Sequence, residues 1–161
     1  MLCETGPLSL LANDVVEYQE DNGTGVFMDP AGGSAQVSLT RVQIYRNTVD
    51  GLLANGSTAG SIFAGITDNV SNLNGGSGFK AQGGIGPAVL DVQRSAGNNN
   101  GVGGFTADGA TAQIFIGNSM ATANTTGFNQ ANGGQIRSYN NSTVDNNSNN
   151  GAVTAPQLNP L

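Results

Sequence analysis

The chain has 161 residues, a formal net charge of −6, and five lysine and arginine residues in all. Such scattered cations disfavour nucleic acid and anionic membrane surfaces as partners, because phosphate binding needs clustered lysine and arginine. The chain lacks histidine and has a single cysteine, Cys3, which excludes an intramolecular disulfide and disfavours zinc or copper sites. No apolar run is long enough to predict a membrane span.

The N-terminal segment, residues 1–12, precedes any repeat. It lacks the basic start of a signal peptide and contains Glu4 and Pro7. We expect these residues to form an N-terminal cap or a frayed segment.

A repeat then follows along the chain. Segments of the type glycine–apolar–x–small begin at Gly25, Gly51, Gly78, Gly104 and Gly127, and a degraded copy begins at Gly151. The intervals between these successive glycines are 26, 27, 26, 23 and 24 residues. An apolar segment precedes each later marker: VQI (42–44), AGI (64–66), LDV (90–92), IFI (114–116) and IRS (136–138). Alternating apolar residues indicate strands, and asparagine and glycine fill the bends between them.

Three short strands in each repeat of 23–27 residues, with no helical stretch, predict one all-β domain over residues 1–161. The expected architecture is a single-stranded parallel β-helix of about six coils over residues 13–154, with a C-terminal tail or cap at 155–161. Phe105 should point inward and stack between Phe79 and Phe128. We expect the glycines to permit bends with positive φ and the bend asparagines to form amide ladders. Because Asn-Gly pairs also favour hairpins, an antiparallel sandwich is the alternative.

The segments "LTRVQIYRNTVDGLLANGS", "LDVQRSAGNNNGVGGFTADGATAQIFIGNSMATANTTGF" and "GGQIRSYNNSTVDNNSNNG" resemble bacterial parallel β-helix repeat proteins of the pectate-lyase-like superfamily. They are most similar to the C-terminal half of uncharacterised secreted members. The resemblance implies a right-handed solenoid and a secreted or cell-surface location. In that family an export signal and further coils precede this region, so the resemblance also implies a fragment or a short paralogue.

Enzymes of that superfamily use clustered aspartates for calcium and an arginine or lysine as base. The resemblance therefore makes Asp68, Asp91 and Arg94 the candidate catalytic residues, and Asp108 the first candidate for a calcium ligand. No other cofactor is expected. The chain contains no histidine, so a serine–histidine–aspartate triad is excluded.

Outward-facing side chains of the predicted strands are the candidate ligand-binding residues: Phe27, Tyr45, Lys80, Phe115 and Tyr139. Aromatic rings and nearby amide or hydroxyl groups are typical of sugar-binding surfaces, although such rings also become buried against a loop or a second copy of the chain. The sequence therefore favours a non-catalytic structural or recognition β-helix that binds carbohydrate. The alternative is a polysaccharide lyase or glycoside hydrolase acting on acidic glycans. A homo-oligomer formed through the coil ends or an apolar face is also expected.

Overall fold

The computed structural model describes residues 8–13, 16–18, 23–154 and 158. They form eighteen strands in three six-stranded sheets, and no helix occurs among them. The first sheet contains β1 (Leu8–Asn13), β4 (Ser34–Thr40), β7 (Ser61–Thr67), β10 (Ala88–Gln93), β13 (Ala112–Gly117) and β16 (Gln135–Ser138). The second contains β2 (Val16–Tyr18), β5 (Gln43–Tyr45), β8 (Val70–Asn72), β11 (Ala96–Asn98), β14 (Met120–Thr122) and β17 (Thr143–Asp145). The third contains β3 (Val26–Met28), β6 (Leu52–Gly56), β9 (Phe79–Gly83), β12 (Gly103–Asp108), β15 (Thr126–Ala131) and β18 (Asn149–Gly151).

Each sheet takes every third strand of the chain, and every strand pair is parallel. This arrangement is a parallel β-solenoid with three short strands in each coil, as the repeat predicted. An antiparallel sandwich is excluded. The first strand, Leu8–Asn13, lies largely within the segment assigned from sequence to an N-terminal cap. In the predicted tail only Leu158 is described, and its N–H donates to the Ser138 carbonyl at 3.0 Å.

The core is a narrow apolar column enclosed by the three sheets. Phe105 is in register with Phe79 on one side and Phe128 on the other. The rings of Phe79 and Phe105 are stacked, with centroids 5.3 Å apart, whereas Phe105 and Phe128 meet edge to face at 6.0 Å. Phe79 and Phe105 are fully buried. The aromatic stack predicted from the repeat is confirmed.

A ladder of side-chain amides runs along the corner between the second and third sheets. In each step the Nδ2 of one asparagine donates to the Oδ1 of the next, at 2.9, 2.9, 3.1 and 3.0 Å. Each of these four accepting Oδ1 atoms also accepts the backbone N–H of the preceding asparagine, whereas the Oδ1 of the first asparagine is buried with no donor among the described residues. The members of this asparagine ladder are Asn47, Asn74, Asn100, Asn124 and Asn147. The expected amide ladder is therefore confirmed, and it satisfies polar groups that would otherwise be buried without partners.

The backbone conformation of the bends contradicts the expectation that glycines provide most of the positive φ values. Left-handed φ values occur at eleven described residues that are not glycine and at only four glycines. At the corner between the first and second sheets these residues include Arg41, Asp68 and Arg94, and at the next corner they include Leu73 and Asn99. Most of the left-handed bends are therefore made by residues with side chains, although such conformations are sterically costly for them. The repeated glycines have another function, which their surroundings reveal.

Candidate functional site

The outer face of the first sheet brings together three of the predicted residues, Asp91, Phe115 and Tyr139. Strand alternation directs every second side chain of the sheet to solvent. Gly65, Asp91, Phe115 and Arg137 follow one another in register along this face, one from each strand from β7 to β16. Phe63 lies two residues before Gly65, and Tyr139 two residues beyond Arg137. We call these six residues the outer face.

Aromatic rings on the outer face lie beside glycines. The Phe63 side chain is 47% exposed, and a β-carbon placed on Gly65 would have nothing within 4 Å. Phe115 is half-buried, and Gly117 follows it two residues later. A β-carbon on Gly117 would lie 3.2 Å from the Tyr139 ring, so Tyr139 rests against this glycine. The outer face therefore presents one exposed ring, Phe63, with open space beside it. Its other two rings, Phe115 and Tyr139, are partly covered.

Polar groups lie between these rings. Gln93 donates from Nε2 to the Asp91 Oδ1 at 2.9 Å. Arg137 donates from Nη2 to the Gln135 Oε1 at 3.1 Å, whereas its Nε is buried with no acceptor among the described residues. The face thus combines aromatic surface with amide, carboxylate and guanidinium groups, a combination typical of sites for polar organic ligands.

Asp68 and Arg94, two of the three candidate catalytic residues, form an ion pair at the corner after the first sheet. The Arg94 Nε donates to the Asp68 Oδ1 at 2.8 Å and its Nη2 to Oδ2 at 3.0 Å. The hydrogen bond from Arg94 lowers the pKa of Asp68, as do the charges of Arg94 and Arg41, while desolvation acts in the opposite sense. The same hydrogen bond raises the pKa of Arg94, which therefore holds its proton more strongly than a base should.

Asp91, the third catalytic candidate, does not join this pair. It lies on the outer face, and the side chain that it contacts is Gln93. The structure thus separates the three candidates into an ion pair at a corner and a carboxylate on a sheet.

The remaining ligand-binding candidates lie on the other two sheets. Phe27 and Lys80 share one outward column of the third sheet, separated by Leu53. Tyr45 lies on the second sheet, in register with Asn72. The five residues predicted to bind ligand are therefore distributed over three faces, and only Phe115 and Tyr139 come together on the first sheet. Thr106, which is in register with Lys80, is 3% exposed, and its hydroxyl forms a hydrogen bond with that of Ser77.

The calcium candidate Asp108 already has two partners. Lys80 Nζ lies 3.4 Å from its Oδ2, and the Asn132 Nδ2 donates to its Oδ1 at 2.7 Å. In the part of the chain that the structure describes, no three acidic, histidine or cysteine side chains are grouped as a metal site would require.

Phe63 was not among the residues predicted from the sequence. The signal was present, because the segment SIFAGIT (61–67) alternates and its inward residues are Ile62, Ala64 and Ile66. Phe63 falls between two of them and must therefore face outward. The predicted strand marker covered only the AGI part of this segment, residues 64–66, and so left Phe63 out.

No family model, no curated protein and no solved structure matches the chain. The pectate-lyase-like resemblance therefore stays a prediction, and the parallel solenoid is established by the strand pairing alone. Among the described residues there is also no helix of the length and hydropathy needed to cross a membrane.

Proposed function

We propose that the chain is a non-catalytic recognition solenoid that binds carbohydrate on the outer face. The observation that carries the proposal is the half-exposed Phe63 ring beside the open space above Gly65. Burying an exposed ring against the apolar side of a sugar is favourable, and the parallel sheet beneath holds the ring in place without further ordering.

The spacing of the rings favours an extended ligand. Phe115 lies two strands and two residues from Phe63, a separation of about 12 Å at ordinary strand spacing and rise. Tyr139 lies one strand and two residues further, about 8 Å from Phe115 by the same geometry. The three aromatics thus form a diagonal line across the sheet, which suits a chain of sugars better than a single ring.

The charge of the protein favours a neutral glycan. The chain carries a net charge of −6, and Asp91 lies between Phe63 and Phe115 on the face itself. An anionic polymer would be repelled at long range, whereas a neutral one loses nothing. Asp91, Gln93 and Gln113 supply hydrogen-bond partners for its hydroxyl groups.

A matched pair of variants tests the proposal. A glycan array identifies a ligand, and affinity electrophoresis in that neutral polysaccharide measures its affinity. Phe63→Ala should weaken binding about tenfold, the value of one stacked ring. Val49→Ala removes a side chain of similar exposure, 49%, at a corner away from the face, and should bind as the parent does. Equal binding by both variants would refute the proposal.

A second candidate function is a lyase or hydrolase acting on acidic glycans. It is supported by Asp91 and Arg94, three residues apart at the end of the first sheet, with Asp68 beside Arg94. An ultraviolet assay for unsaturated uronate products, with calcium added, tests it. Turnover that Asp91→Ala abolishes would establish the enzyme and displace the recognition role.

A further inference from the structure

Asn-Gly pairs occur five times in the described part of the chain beyond residue 23, and the structure gives them different surroundings. Such a pair is chemically reactive because glycine has no side chain to keep its backbone nitrogen away from the preceding asparagine. The nitrogen attacks the side-chain carbonyl carbon when both groups are free to approach each other. Hydrogen bonds to either group oppose that approach.

Two of the pairs belong to the asparagine ladder. Asn74 and Asn100 are each 2% exposed, and their side chains both donate and accept within the ladder. The following N–H groups are also engaged: Gly75 donates to the Asn47 carbonyl at 2.8 Å and Gly101 to the Asn74 carbonyl at 2.9 Å. Neither the amide nor the attacking nitrogen is free in these pairs.

Two further pairs are held more loosely. The Asn55 Oδ1 accepts the Ser57 N–H at 3.1 Å, and Gly56 lies within β6. The Gly151 N–H donates to the Asn149 Oδ1 at 2.9 Å. In each pair at least one reacting group is tied by a hydrogen bond or by the sheet.

The pair Asn132–Gly133 differs from the other four. Both residues are exposed and have left-handed φ values, 50° and 85°, in a turn closed by a bond from Gly134 N–H to the Ala131 carbonyl at 2.9 Å. The described residues provide no acceptor for the Gly133 N–H. Within the described ranges, the Asn132 side-chain amide has one hydrogen bond, which its Nδ2 donates to Asp108.

We propose that Asn132 is a site of spontaneous deamidation. The Gly133 nitrogen forms a bond to the Asn132 Cγ, the bond from Cγ to Nδ2 breaks, and ammonia leaves with the proton from the Gly133 nitrogen. Water then opens the resulting cyclic imide at either carbonyl, which gives aspartate or isoaspartate at position 132. The overall change is the addition of one water and the loss of one ammonia, and it needs no enzyme, oxidant or cofactor.

The modification acts on a charged cluster and on the outer face. A carboxylate at position 132 loses the 2.7 Å hydrogen bond to Asp108 and places a second negative charge there, beside Lys80. An isoaspartate also adds a backbone atom to the turn that precedes Gln135, the first residue of β16. Since β16 carries Arg137 of the outer face, modification at 132 alters the strand on which that residue lies.

The experiment compares the pairs within one protein. The folded chain is incubated at mildly alkaline pH in water enriched in heavy oxygen, which labels only deamidation during the incubation, and peptide mass spectrometry then measures each site. Asn132 should react at least about tenfold faster than Asn74 or Asn100, because a ladder asparagine reacts only after local opening. The same incubation in concentrated urea should bring the three rates together. Asn132→Gln should abolish the label at that site and leave the others unchanged.

Three outcomes would overturn the proposal. The first is an equal rate at Asn132 and the ladder asparagines in the folded chain. The second is a difference that persists in urea, since it would then arise from the sequence and not from the fold. The third is loss of ammonia with the Asn132 peptide joined to that of Lys80, which would show that the Lys80 amine is the attacking group. All three are read without reference to glycan binding, so the proposal stands or falls separately from the recognition role.

Discussion

The Nδ2 of Asn100 lies 2.8 Å from the position that a β-carbon on Gly78 would occupy. The same relationship joins Gly51 to Asn74 at 2.8 Å and Gly104 to Asn124 at 2.9 Å. None of these glycines has a left-handed φ. The glycine that marks each repeat therefore makes room for the asparagine ladder, and the two features of the repeat depend on each other.

This relationship predicts a large effect of one added methyl group. Gly78→Ala should lower the free energy of unfolding by about 1–3 kcal/mol, because the ladder has no space into which it can move. Gly65→Ala is the matched control, since its β-carbon would meet nothing within 4 Å, and it should change stability by less than about 0.5 kcal/mol. Urea unfolding of both variants measures the difference. Similar losses of unfolding free energy in the two variants would show that the asparagine ladder is not the reason for glycine at position 78.

Removing one asparagine of the ladder should lower the free energy of unfolding more than Gly78→Ala does. Asn100→Ala leaves the backbone N–H and the Nδ2 of Asn74 without their acceptor in a buried site, a loss of about 3 kcal/mol or more. Asn129→Ala, at an outward asparagine on β15, serves as the control and should be close to neutral. The measurement is again the unfolding midpoint in urea, with the slope of the transition checked for two-state behaviour.

The aromatic column should dominate core stability. Phe105→Ala removes a fully buried ring that contacts rings on both sides, and should destabilise the fold by about 3–5 kcal/mol. Phe63→Ala deletes an identical side chain from the surface and should leave the melting temperature nearly unchanged. A calorimetric scan of the two variants separates core from surface. Comparable losses would contradict the assignment of Phe63 to an exposed face.

The ion pair at the first corner should have a measurable acid titration. Because Arg94 lowers the pKa of Asp68, the stabilisation from this pair is present above the ordinary aspartate pKa and is lost as the pH falls through the lowered value. Arg94→Gln should raise the pKa of Asp68 towards its usual range, as read from the carboxyl carbon shift by NMR. Arg137→Gln, on the outer face, should leave that pKa unchanged. An unaltered titration in Arg94→Gln would show that the pair does not persist in solution.

The fold was predictable because its core repeats. Phenylalanines at 79, 105 and 128 follow glycines at a nearly constant interval, and only stacked coils bring such residues into register. The reason for those glycines was not predictable. A sequence does not tell whether a glycine is needed for its own φ value or because a neighbouring side chain occupies the place of a β-carbon. The φ values resolved this, because residues such as Leu73 and Arg94 adopt the left-handed bends.

The candidate site was harder to predict from the sequence than the fold. Strand alternation correctly placed Phe115 outward, but it gave no information on which outward residues share a sheet. Tyr45, Phe27 and Tyr139 therefore looked equivalent, although they lie on three different faces. The Asp68–Arg94 contact depends on the pairing register of β7 and β10, because Asp68 and Arg94 directly follow the paired residues Thr67 and Gln93.

The distance along the chain from the first sheet to the asparagine ladder is constant over the central coils. Ala64, Leu90 and Ile114, which are in register, each precede their ladder asparagine by ten residues. Coils differ in length mainly after the third sheet, in the turns that include residues 57–60, 84–87 and 132–134. New segments grafted at those turns, whether epitopes or whole loops, would project from one edge of the rod and leave both the ladder and the phenylalanines undisturbed.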